Sequence, residues 1–255
     1  MQYTLALNAF AFSLFLAILA LAQIARTIGR RQHATPSDPG FRVIAAAVFG
    51  LLGLLVAFTF SGAASRFDAR RQLIVQEVNA IGTGYLRLKL LPLQSQTELR
   101  NVFRQYVEAR TAIYRKLPDI EAATLELARS KALQDAIWEK AVAACKTADG
   151  PQAALLLLPA LNQMIDITTT RTVALQTHSP AIVLVLLAAV ALAGALLVGH
   201  AVAAAPAHSW LHVFIFAAAL TATIYVIVDL EYPRAGLIRI EAVDQLLVGL
   251  FDNMQ

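Results

Sequence analysis

FTFSGAASRFDARR, from Phe58 to Arg71, begins as lipid-compatible helix and ends among four charges, Arg66, Asp68, Arg70 and Arg71. No proline interrupts it, and its small residues Gly62 and Ala63 are compatible with a helix. The stretch reads as one helix that leaves a membrane without stopping. That reading decides the architecture: membrane spans joined to a water-exposed helical part by a continuous stalk.

The surrounding composition agrees. Of 255 residues, 58% are hydrophobic and 15% charged, whereas a soluble domain has about half or fewer apolar residues and about a quarter charged. A span needs roughly 20 apolar residues to cross about 30 Å of hydrocarbon. Four windows meet this: 3–25, 43–65, 181–203 and 210–228, none with an Asp, Glu, Lys or Arg. The first lacks the basic start of a secretory signal and exceeds the usual apolar core of about 7–15 residues, so it reads as an uncleaved anchor. The expected fold is an all-α integral membrane protein with four transmembrane helices and an extramembrane helical domain between spans two and three. Its parts are a first transmembrane pair (1–65), the helical domain (66–180), a second pair (181–230) and a C-terminal amphipathic segment (231–255).

The region 66–180 holds 15 of the 21 basic and 11 of the 17 acidic residues. Pro92 is expected to end the stalk, with Ser95 or Thr97 capping a helix over 97–116. Pro118 and Asp119 start another over 119–147, Asp149-Gly150-Pro151 is a turn, and a further helix covers 152–178 with a kink at Pro159. After a turn at 232–236, Leu246, Leu247, Leu250 and Phe251 mark a short amphipathic helix.

The net charge of +4 and pI near 9.4 do not indicate nucleic acid, because basic and acidic residues are interleaved. Cys145 is the only cysteine, which excludes an intrachain disulfide and a cysteine-based metal site. No phosphate loop, GxSxG elbow or HExxH motif occurs, so neither an enzyme nor a bound cofactor is expected. His33, His178, His200, His208 and His212 do not form a metal set. The spans contain no carboxylate for a proton relay.

At helical spacing Ala47, Gly50, Leu54, Ala57, Ser61, Ala64 and Asp68 share one face of the second span. Small residues there serve either close helix packing or the lining of a pore between subunits. Beyond the lipid, the spacing places Arg66, Arg70 and Glu77 on one face. Span alternation brings Asp229 and Glu231, after the fourth span, to the same membrane surface, making them the expected partners of Arg66 and Arg70. With Asp68, Arg71 and Arg234 these residues form a charged collar or a mouth that attracts ions. Gly82 and Gly84 inside the stalk cost roughly 1 kcal/mol each relative to Ala, which calls for close packing or a ligand contact. Asn79, Thr83 and His178 offer a polar path.

FTFSGAASRFDARRQLIVQEVNAIGTGYLR, then LLPALNQMID and HSP, then DLEYPRAGLI, occur in this order and resemble the bestrophin-like bacterial membrane proteins over roughly 45–240. The resemblance implies the plan of bestrophins, pentameric anion channels with four spans per subunit and a pore lined by span two. It implies a homo-oligomer passing inorganic ions, with Phe58 and Phe60 standing for the apolar constriction. The acidic cluster of the bestrophin calcium clasp is absent, and so is the family's neck sequence. The expected location is the cell (inner) membrane, in contact with its lipids. Arg26, Arg30, Arg31 and Arg42 favour a cytoplasmic loop over 26–42 and hence an outside helical domain, opposite to the family. The other reading is a non-conducting membrane scaffold or sensor whose helical domain binds a partner.

Overall fold

A computed structural model describes residues 2–31, 39–116, 119–147, 152–204, 210–232, 237–238, 241–252 and 254. Among the described residues every regular element is helical: α1 (Gln2–Arg31), α2 (Pro39–Arg87), a 3₁₀ turn (Leu88–Leu90), α3 (Leu93–Lys116), α4 (Ile120–Thr147), α5 (Gln152–Gln176), α6 (Ala181–Ala201), α7 (Trp210–Glu231) and α8 (Glu241–Asp252). Four helical stretches are long and apolar enough to cross a membrane. The protein is an all-α membrane protein.

The stalk is continuous. Helix α2 runs unbroken through Phe58–Arg71 for 49 residues, or roughly 74 Å at about 1.5 Å per residue. Pro39 begins it, at the position where its missing N–H costs nothing. Helices α1 and α7 overrun their apolar windows, because the edge of the hydrocarbon ends apolar composition and not the amide ladder. Helix α3 starts at Leu93, ahead of the expected Ser95 or Thr97 cap. The Pro92 carbonyl accepts the Gln96 N–H at 3.1 Å, and the Gln96 side chain donates to the Leu91 carbonyl at 2.7 Å, so the first turn closes directly after Pro92. Asp119 caps α4 by accepting the Ala122 N–H at 3.0 Å. Helix α5 continues through Pro159. The expected turns at 149–151 and 233–236 lie outside the described residues.

The chain divides into two compact units, one of residues 1–67 and 178–238 and the other of 68–177 and 239–255. In the first, α1 packs on α6 and α7. Its core is Leu14, Ile18, Leu52, Leu187, Ala191, Ala195, Ala217 and Ile224. Alanines let these helices approach closely where lipid supplies no hydrophobic drive. The tightest approach is at Gly199, where an added Cβ would overlap the Ala22 backbone.

In the second unit α3 packs on α4 and α8, and α4 on α5, around Ile81, Phe103, Tyr106, Val107, Ile137, Leu161 and Met164. Helix α8 contributes the buried Leu247 and the half-buried Leu250 and Phe251, while Leu246 stays exposed. The stalk glycines serve packing. A Cβ on Gly84 would meet Leu161 and Phe103 at 3.4 Å, and one on Gly82 would meet Leu250 at 3.6 Å.

These contacts separate the glycines experimentally. Gly199→Ala should lower the melting temperature of the detergent-purified protein, with an overpacking cost of about 1–3 kcal/mol. Gly82→Ala should leave it unchanged or raise it, by up to about 1 kcal/mol of helix propensity.

Candidate functional site: the second span and its charged end

Two sides of α2 differ along its length. Leu52, Thr59, Ala63, Arg70, Ile74, Glu77, Ala80, Ile81 and Gly84 are buried, at spacings that keep them on one side. Ala47, Gly50, Leu54, Ala57 and Ser61 are exposed, and Ala64 is half-buried. An added Cβ on Gly50 would have no atom within 4 Å. Phe58 and Phe60 are 67% and 44% exposed. Only 11% of the apolar window of α2 is buried within the chain, against 22–28% in the other three spans. Among the described residues, Ala47, Gly50, Leu54, Ala57 and Ser61 are therefore left exposed by their own subunit, while Ala64 packs against the core of the first unit. The Thr59 hydroxyl is satisfied locally, donating to the Leu55 carbonyl at 2.7 Å.

At the charged end of the first unit, Glu231 is the centre of a network. It is 1% exposed. Arg66 Nε donates to its two carboxylate oxygens at 3.0 and 3.2 Å, and Arg66 Nη2 also bonds it. Ser179 Oγ donates to Glu231 Oε1 at 2.7 Å and accepts Arg66 Nη2 at 2.5 Å. His178 stacks on Tyr232 with ring centroids 4.4 Å apart, and its Nδ1 lies 3.9 Å from Glu231 Oε2. This forked, multiply bonded arrangement is the kind that can repay desolvation of a carboxylate.

Asp229 is not the arginine partner expected of it. Its Oδ2 accepts the backbone N–H groups of Leu237 and Ile238, each at 2.9 Å, and so ties down the chain after α7. Arg234 lies outside the described residues.

The second unit holds the remaining charges. Arg70 is 3% exposed. It donates to the carbonyls of Ala174 at 3.1 Å and Thr177 at 2.7 Å. Carbonyls at a helix C-terminus lack intrahelical donors and carry partial negative charge, so a guanidinium fits there. Asp68 and Arg71 are exposed and 3.6 Å apart.

Glu77 is an interior residue, not part of a mouth. It is 0% exposed, accepting Arg110 Nε at 2.6 Å on one oxygen and Arg171 on the other. Beside it, the Gln134 amide donates to Tyr106 Oη at 3.1 Å and Thr168 Oγ1 at 3.0 Å. Burial pushes the Tyr106 phenol up to about 12, so it stays neutral. The spacing of 97–116 puts Tyr106 on an apolar stripe with Leu99, Val102, Phe103, Val107 and Ile113; Arg110, which falls on the same side, is the residue the sequence reading passed over. Asn79 and Thr83 do come together. They line an open groove of 240 Å³ with Gln76, Ala80, Gln163 and Ile167. His178 belongs to the other unit. Among the described residues no group of His, Cys, Asp or Glu could hold a metal ion.

A family model described as the Bestrophin-like domain matches residues 9–244. The chain belongs to the Bestrophin-like family. Among solved structures, a bacterial bestrophin homolog from Klebsiella pneumoniae, crystallised with a tyrosine-to-alanine mutation, superposes with a TM-score of 0.67. The match covers 93% of this chain and 97% of that one at 14% identity, which establishes a shared fold. No curated protein matches. On this bestrophin-like fold, the exposed face of α2 and the buried ion networks are the features with chemical content.

Glu77 gives a sharp test of the interior network. Glu77→Ala leaves two guanidiniums facing a void and should cost about 3–5 kcal/mol in thermal unfolding of the purified protein. Asp68→Ala removes an exposed pair and should cost less than about 1 kcal/mol.

Proposed function

We propose that this protein is an oligomeric ion channel of the cell membrane whose pore is lined by the exposed face of α2: Ala47, Gly50, Leu54, Ala57, Ser61 and Ala64. The observation that carries the proposal is that this face is small, nearly charge-free and left uncovered by its own subunit. Several copies arranged with these faces inward would enclose a narrow passage with little side-chain obstruction. Family membership supports the same arrangement, with five subunits as the proposed number.

Phe58 and Phe60 are proposed as a hydrophobic constriction, which holds a pore shut by excluding water until it widens. Asn79 and Thr83 line a neutral polar groove in the helical unit, suited to ions that keep part of their hydration. The proposed preference is for anions. Arg66 is offset by Glu231 and is no strong source of that preference. By sequence, the start of the helical unit carries Arg70 and Arg71 against Asp68, a formal excess of one positive charge. A cytoplasmic loop over 26–42 and an outside helical unit are the proposed orientation.

Conductance of the purified protein in planar bilayers under a potassium chloride gradient tests this reading. Discrete currents reversing near the chloride equilibrium potential are expected. Ala57→Leu should reduce unitary conductance severalfold, and Phe60→Ala should raise the open fraction. A silent protein of verified oligomeric integrity would contradict the channel and favour a scaffold or sensor.

A further inference from the structure

The other end of the first unit carries a charge pattern that the channel reading does not use. Residues 26–42 contain Arg26, Arg30, Arg31 and Arg42 against a single acid, Asp38. The only described carboxylates of this unit, Asp229 and Glu231, sit at the opposite ends of the spans, in the last turn of α7. Arg30 and the residue before Arg42 both reach the C-terminal end of α6. Arg30 Nε donates to the Ala203 carbonyl at 3.0 Å. Phe41, next to Arg42, packs its ring 4.9 Å from that of His200. Arg26 lies one turn beyond Ala22, whose backbone touches Gly199.

Exposed aliphatic side chains adjoin the same arginines. Ile24 and Ile28 are 49% and 48% exposed and lead at helical spacing to the exposed Arg31. Val43 and Ile44, 69% and 60% exposed, follow the exposed Arg42. A guanidinium at the end of an apolar strip matches a ligand with an anionic head and a hydrocarbon tail. A free anion would use the arginines alone, whereas a lipid would also lay its chains along the adjoining span surface. Guanidiniums take phosphate oxygens in pairs, and basic groups at a membrane surface gain from anionic lipid.

We infer that the Arg30–Arg31–Arg42 end of the first unit is a binding site for the phosphate headgroup of an anionic phospholipid, with its acyl chains along Ile24–Ile28 and Ile44. The inference is independent of whether the protein conducts.

The test is lipid retention by the detergent-purified protein in native mass spectrometry, titrated with phosphatidylglycerol or phosphatidylcholine. The wild type should retain phosphatidylglycerol at about tenfold lower concentration than phosphatidylcholine. The double variant Arg31→Gln/Arg42→Gln, which spares the Arg30 bond to Ala203, should lose that preference. Arg71→Gln, on the other unit, should keep it. Equal retention of the two lipids by the wild type overturns the proposal without recourse to any variant, so a misfolded variant does not shelter it. Unchanged preference in a folded double variant also overturns it. Inorganic phosphate displacing the lipid at comparable concentration assigns the site to free anions and overturns the lipid source.

Discussion

The central constraint is that a helix can leave a membrane only if its charges find partners where the lipid ends. Helix α2 meets that constraint within two turns. Arg66 is held by Glu231 and Ser179, and Arg70 by the carbonyls that close α5. Glu77, further along, is enclosed by two guanidiniums. Because these groups are satisfied on the buried side, the opposite side of α2 stays free of charge from Ala47 until Asp68. Within the span, between Ala47 and Ser61, its exposed residues are uncharged. The ion networks and the bare face are two consequences of one helix having a committed side and an uncommitted side.

This division also bears on ion selectivity. An arginine at a pore mouth acts on passing ions only to the extent that its own counter-charge is distant. Arg66 sits against Glu231, and the pair is close to neutral from outside. Arg70, one turn later, is held by the carbonyls of Ala174 and Thr177. The proposed anion preference therefore does not rest on Arg66.

Much of the fold was legible because membranes impose strong compositional rules. The windows 43–65 and 181–203 declare themselves, since nothing else accounts for more than 20 residues without a charge. The uninterrupted stalk was readable from the absence of a breaker in Phe58–Arg71. The Arg66–Glu231 pair was readable too, because span alternation alone puts the two residues on one surface. Other parts carried no local mark. Arg70 and Asp229 bond backbone groups, which every residue possesses, so no residue type betrays those partners. Glu77 joins Arg110 and Arg171 across 33 and 94 residues of chain, and only tertiary packing of α2, α3 and α5 reveals the triad. The helical stripe that placed Glu77 with Arg66 and Arg70 was sound as geometry. It could not tell a buried stripe from a wet one.

The central claim is that the uncommitted side of α2 faces water in the assembled protein rather than lipid. Accessibility of single cysteines decides this directly. In a Cys145→Ser background, reconstituted protein would carry Gly50→Cys, Ala57→Cys or Ser61→Cys on one side and Leu52→Cys or Ala63→Cys on the other. The account predicts fast reaction of the first three with a charged, water-soluble thiol reagent, together with block of current, and no reaction of the last two. Unreactive cysteines at 50, 57 and 61 in conducting protein would contradict it, because those positions would then lie against lipid or a neighbouring helix.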